Sequence, residues 1–339
     1  MNHFCTYCDQ GYAARMLCLY ASLKAQGEPF RLYVLCFDAE TEAVVVGTGE
    51  PSLIPVPLRE LLIADPAYAA VQTSRNRVEF FFTSTPVLVL HCLRVMPEVT
   101  RITYLDADLF FFGPASAVFA EQGEASVGIV PHRFVHMTAD YLQHGIYNVG
   151  WVSFQRDAEG LACLEWWRER CIEWCYDRVE DGRYADQGYL NKFPQKFSRV
   201  RSLEHPGINA APWNIEPDQI TQVGGKPWFK GRPILFYHYQ GIREVLPNWF
   251  DLGLRHYRVT VTRGVREWLY RPYVRELVKV QGQLKKKYGI IPSLGYKRLP
   301  EGDSWGLRWQ RFQIQRVLPV FRMLRGRLIH CSETERSCG

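Results

Sequence analysis

Short runs of consecutive apolar residues alternate along the chain with stretches in which apolar positions recur every three or four residues. The first pattern predicts buried strands and the second amphipathic helices. Asn2 to Cys8 reads as a β-type run, and Tyr12 to Ala25 as a helix presenting Tyr12, Met16, Leu19 and Leu23 on one face. Phe30 to Phe37 is a strand ending at Asp38. A stretch without a clear period continues through the Pro-rich segment Pro51 to Leu58. A helix follows from Val78 to Val95, which Pro86 is expected to kink or divide because it removes an N–H and crowds the preceding turn. Strands at Arg101 to Leu105, Ser126 to Pro131 and Asn148 to Phe154 come next, then a helix from Glu159 to Val179. Strands separated by helices imply an α/β fold with a mostly parallel central sheet flanked by helices. Ligands of such sheets sit at the carboxyl ends of the strands, so the polar residues there are the candidates for function.

Composition narrows the picture. With 339 residues and 47% hydrophobic content the chain can bury a large core, which excludes a disordered or fibrous protein. The richest apolar windows are interrupted by His91 and Arg94 or by Asp106 and Asp108, so no membrane span is expected. The first residues have neither a basic leader nor a long apolar segment, which predicts a cytoplasmic protein. Ten cysteines then read as reduced thiols. Cys5 and Cys8 have the spacing of a zinc pair, but no clean second pair accompanies them. The net charge of +6 is uneven: from Arg255 to Gly339 there are 19 Lys and Arg against 6 Asp and Glu, which leaves the preceding part at −7. We therefore divide the chain into an acidic body at 1–250 and a basic, aromatic-rich helical extension at 251–339.

The most informative stretch is Ile102-Thr103-Tyr104-Leu105-Asp106-Ala107-Asp108-Leu109-Phe110. Two carboxylates one residue apart, between apolar runs, are costly to desolvate unless a cation pairs with them. Oxygen ligands favour Mg²⁺ or Mn²⁺, ions that bridge protein carboxylates to phosphates. A solvated turn is the plainer reading of the same triplet, and the apolar flanks weigh against it.

At this motif the sequence resembles the nucleotide-sugar glycosyltransferases of the GT-A fold, above all family 8, the type of glycogenin and the bacterial lipooligosaccharide galactosyltransferases. The resemblance runs over about residues 3 to 245, with the family's motifs in the family's order. It implies a GT-A catalytic domain that transfers a sugar from a nucleotide-sugar donor, most simply a UDP-sugar, to a glycan or lipid-linked acceptor with retention of configuration. Polysaccharide biosynthesis is the implied setting. In the motif itself, Asp106, Ala107 and Asp108 would face the donor. Thr6, Tyr7 and Asp9 stand where the family meets the nucleotide, although Asp9 would equally serve as a helix N-cap. Arg77 matches a basic position near the donor and would otherwise be a solvated helix end. Tyr147-Asn148-Val149-Gly150 resembles the family's Asn-x-Gly, with Asn148 towards the donor sugar. Asp186-Gln187-Gly188-Tyr189-Leu190-Asn191 resembles the stretch whose first two residues lie against the reacting carbon. His238, closing the apolar run Ile234 to Tyr237, stands at the family's third metal ligand. The Lys-Pro-Trp expected after it is replaced by Arg243-Glu244-Val245, and Arg243 would take over the phosphate contact.

Two other classes fit parts of this pattern. A phosphohydrolase of the haloacid dehalogenase type also uses Asp-x-Asp after an apolar strand, but near the N-terminus. A non-catalytic nucleotide-sugar-binding protein would keep the same residues without turnover. In the extension, Val265 to Leu284 and Trp305 to Leu328 carry apolar residues at helical spacing among many Lys and Arg. Two amphipathic helices are expected, either packed on the acidic body or docked on an anionic membrane surface at the inner face. Nothing in the charge pattern is accompanied by a nucleic-acid-binding motif, so no nucleic-acid partner is expected.

Overall fold

The computed structural model describes residues 1–135, 141–290, 306 and 328–331. The predicted N-terminal strand is β1, Asn2–Cys8, followed by α1, Ala13–Lys24, and β2, Phe30–Cys36. The aperiodic stretch resolves into α2, Ala39–Gly47, and β3, Leu53–Pro57. Asp38 starts α2 by accepting the N–H of Thr41 at 2.8 Å. Short helices α3, Leu58–Ala64, and α4, Pro66–Val71, lead to α5, Arg77–Val95. A capping box between Asn76 and Glu79 starts α5, and Pro86 sits inside it without dividing it. By length and composition α5 is apolar enough to cross a membrane, but most of it is buried within the core.

Strand β4, Arg101–Leu105, is followed by β5, Leu109–Phe111, α6, Ala115–Gln122, β6, Val127–Pro131, and β7, Tyr147–Gln155. Helix α7, Ala158–Glu173, ends sooner than its apolar pattern suggests, because Trp174 turns to extended backbone. After the four-residue α8, Phe193–Lys196, come β8, Val200–Ser202, and β9 to β11 within 220–233, a small three-stranded sheet. Strands β12, Phe236–His238, β13, Arg243–Leu246, and β14, Trp249–Asp251, precede α9, Arg271–Tyr288, and β15, Leu328–His330.

The central sheet has the order β3-β2-β1-β4-β7-β6-β8. All of its strands run the same way except β7, which is antiparallel to both β4 and β6. The period of two along each strand divides the core. Cys5, Tyr33, Ile102, Tyr104 and Phe154 face α5 and α7, whereas Phe4, Leu32, Leu105 and Trp151 face α1 and α6. Cys5 and Cys8 consequently lie in different clusters on opposite faces of β1 and do not form a metal pair. Among the described residues every cysteine is buried.

The first helix expected in the extension is present, as a wide helical turn at Val265–Tyr270 continuing into α9. Its apolar face, with Tyr273, Val274, Leu277 and Val278, shares one core cluster with Ala13 and Cys18 of the α1 helix and with Tyr237 and Tyr239. The second expected helix, Trp305 to Leu328, lies almost wholly outside the described residues. Beyond it, β15 pairs with β14 through Ile329 opposite Phe250.

Candidate active site

The carboxyl end of β4 delivers Asp106. Because β7 runs antiparallel to β4, with Leu105 opposite Trp151, the start of β7 lies at that same end, and Asp106 donates its N–H to the Gly150 carbonyl at 3.2 Å. Asn148 therefore reaches the site from the beginning of a strand, whereas Asp106 reaches it from the end of one. Strand β12 pairs antiparallel with β5 and sets His238 opposite Leu109. The Tyr239 N–H to the Asp108 carbonyl, at 3.0 Å, extends that ladder and fixes His238 beside the acidic pair.

His238 Nε2 lies 3.1 Å from Asp108 Oδ1 and 3.6 Å from Asp106 Oδ2. Tyr104 donates its hydroxyl to Asp106 Oδ1 at 2.9 Å. Burial opposes charge on His238, but Asp108 and Asp106 outweigh it and hold the imidazole above its ordinary value. Burial pushes Asp106 up, against the pull of His238 and with the repulsion of Asp108. Burial acts on Asp108 too, yet His238 and Arg15 overcome it and keep this carboxyl low. A buried and a partly buried carboxylate facing one imidazole leave surplus negative charge, a situation a divalent cation relieves. Ligand atoms of Asp106, Asp108 and His238 all lie within 4.8 Å of one another. This oxygen and nitrogen donor set fits a divalent metal.

Beside the triad is a cavity of about 300 Å³ lined by Tyr7, Asp106, Asn148, Asp186 and Gln187 among others. Asp186 is only 3% exposed, and Trp167 of the α7 helix donates its indole N–H to the Asp186 carbonyl at 2.9 Å. Burial, reinforced by Asp106, pushes the Asp186 carboxyl up to about 7. Gln187 opens a short helical turn, Gln187–Lys192, and accepts a hydrogen bond from Asn148 Nδ2 at 3.1 Å. Gly150 is small for a steric reason: a Cβ there would come within 2.6 Å of Asn148 Oδ1 and 3.0 Å of His238 Nδ1.

The remaining expected residues are placed differently. Asp9 lies before α1, whose N-cap is Tyr12 without a side-chain cap, so it is not the expected N-cap; it accepts the Tyr12 N–H at 3.1 Å and pairs with the exposed Arg77. Thr6 is fully buried within β1, with no hydrogen-bond partner for its Oγ1, and Ala107 packs among apolar residues. Arg243 lines a separate cavity of about 400 Å³ with Gln10, Tyr12, Arg15 and, from α9, Gln281.

Several cavity residues escaped the sequence reading. His132, just past the end of β6, contacts Asn148, and Trp213 places its ring edge-on to His238 with centroids 5.1 Å apart. Tyr141, His144, Tyr184, His256 and Tyr257 complete an aromatic and imidazole rim. His132 carried a usable signal, a histidine closing the apolar run Val127 to Pro131, the pattern that singled out His238.

No family model matches the chain. The uncharacterized protein YfnF of Bacillus subtilis (strain 168) is 33% identical over 257 residues, covering 72% of this chain and 83% of YfnF. The uncharacterized protein YfnD of the same organism is 28% identical over 298 residues, covering 86% of this chain and 94% of YfnD. Among solved structures, the galactosyltransferase LgtC in complex with donor and acceptor sugar analogs superposes with a TM-score of 0.50 at 16% identity, over 91% of this chain and 99% of LgtC. That likeness is one of fold, and it agrees with the mixed α/β sheet and its order. The chain belongs to the family of Bacillus subtilis YfnF and is built on the GT-A glycosyltransferase fold.

Proposed function

We propose that this protein is a metal-dependent glycosyltransferase that moves a sugar from a nucleotide-sugar donor, most simply a UDP-sugar, to a glycan or lipid-linked acceptor with retention of configuration. The observation that carries the reading is the convergence of Asp106, Asp108 and His238 beside a cavity whose far wall is Asn148, Asp186 and Gln187. Mn²⁺ or Mg²⁺ held by the triad would neutralise the charge growing on the leaving nucleoside diphosphate.

The protein's own groups do the rest. Asp186, when ionised, supports positive charge developing on the sugar ring, and its burial strengthens that interaction. Gln187 and Asn148 offer amide groups at fixed positions to the sugar hydroxyls. The buried walls, Trp213 and Tyr257 among them, keep water from competing with the acceptor. Arg243 and Arg15 stand together in the neighbouring cavity, where they would meet an anionic part of the donor. The basic extension would bring the site to a lipid-linked acceptor at the inner face of the membrane.

A panel of nucleotide sugars incubated with Mn²⁺, scored for nucleoside diphosphate release and for the anomer of the product, tests this reading. Release from one donor class that depends on acceptor and metal supports it. No release from any donor, with or without acceptor extracts, refutes it.

A further inference from the structure

The polar wall of the cavity is a connected chain whose direction is set by backbone groups. Asn148 Oδ1 accepts the Gly150 N–H at 3.0 Å, and a backbone N–H can only donate, so the Asn148 Nδ2 group must point the other way. There it meets Gln187 Oε1 at 3.1 Å and His132 Nε2 at 3.4 Å. Gln187 Nε2 in turn donates to the His144 carbonyl at 2.9 Å. His132 Nδ1 lies 3.2 Å from the Ile146 carbonyl, an obligate acceptor, so the ring proton sits on Nδ1 and Nε2 is left bare. Asn209 fills the last position by donating to Asn148 Oδ1 at 3.0 Å.

We propose that His132 is a positioning residue: as a neutral imidazole protonated on Nδ1, it supplies the second acceptor for Asn148 Nδ2 and thereby fixes which faces of Asn148 and Gln187 a bound sugar meets. This role rests on the transferase reading above. The ring is 5% exposed, stacked on Phe134 at 4.5 Å between centroids and set edge-on to Trp213 at 5.4 Å, so it cannot swing away. Burial drives the charged form of His132 down to about 3, and the charges of His238 and His144 act in the same direction against the opposing Ile146 and Gly145 carbonyls. A protonated ring would aim an N–H at Asn148 Nδ2. To meet it the amide would have to turn over, at the cost of its bonds to Gly150 and Asn209.

Two substitutions separate positioning from bulk. His132→Phe keeps the stacking shape but removes the acceptor, whereas His132→Gln restores an acceptor oxygen near Nε2. His132→Phe is expected to lower kcat at least roughly tenfold, the scale of one lost buried hydrogen bond, with the donor KM within about twofold. His132→Gln should recover most of that loss. In His132→Phe/Gln187→Ala the two losses should combine to less than their product, because both act through one chain. Unchanged kcat in His132→Phe, no recovery in His132→Gln, or fully multiplicative losses would overturn the assignment. Nitrogen-15 NMR of the resting wild-type protein decides the matter independently of any reaction. A neutral Nδ1–H tautomer from pH 5 to 8 is expected, and an imidazole titrating near neutrality would refute the role even if transfer activity is confirmed. Absence of all donor turnover would refute the transferase reading and leave the tautomer to be judged by NMR alone.

Discussion

His238 Nε2 stands 3.1 Å from Asp108 Oδ1 because β5 and β12, drawn from opposite halves of the chain, pair with His238 opposite Leu109. The ladder places an imidazole where two carboxylates would otherwise face each other. Asp108→Asn removes one of those charges at nearly constant shape. The variant should lose Mn²⁺ binding by at least about tenfold in affinity, followed by isothermal calorimetry, together with its turnover, while its circular dichroism spectrum stays native. Undiminished turnover in Mn²⁺ would dismiss the ligand role.

Asp186 makes stability depend on pH in a defined direction. Its folded value of about 7 lies above the ordinary 3.8, so between those values the native state holds a proton that the unfolded chain has released. Stability from this group is therefore present below about pH 4 and lost as pH rises through about 7. Asp186→Asn, which stays uncharged, should match the wild type in urea denaturation near pH 4 and exceed it at pH 8. Parallel stability curves for the two proteins across this window would show that Asp186 is not a buried, raised carboxyl.

Gly150 separates Asn148 from His238, and any Cβ there would intrude on both. Gly150→Ala should cost roughly 1–3 kcal/mol, typical of overpacking, and weaken Mn²⁺ binding through the displaced His238. Wild-type Tm and metal affinity in the variant would mean that the neighbours give way freely.

The extension makes a further test. The apolar face of α9 is occupied by the body of the protein, so only its charged side, ending in Lys285, Lys286 and Lys287, is offered to a surface. Attraction to anionic headgroups at about 1 kcal/mol per basic residue predicts co-sedimentation with anionic vesicles that disappears at high salt, and none with neutral vesicles. Equal, negligible binding to both would make the extension a packing element.

Much of this molecule is legible residue by residue. Apolar runs such as Phe30 to Cys36 and Arg101 to Leu105 have nowhere to go but a buried strand, and two carboxylates at the end of one advertise a cation because their desolvation is costly. Local pattern failed where long-range contacts overrule it. α7 stops at Glu173 because Trp174 extends to bury its ring, and Pro86 is carried through α5 by burial of that helix along its length. The pairing of Asp9 with Arg77, the burial of Thr6 and the joining of His132 to Asn148 and Gln187 depend on how distant segments meet. The sequence by itself determined the strands β1, β2, β4, β6 and β7, the long helices α1, α5 and α7, and the acidic pair, since these follow from local periodicity and the cost of burying charge. Only the tertiary structure decided that β7 runs backwards and that β12 pairs with β5, because strand direction and register are properties of partners far apart in the chain, and those two choices assemble the site.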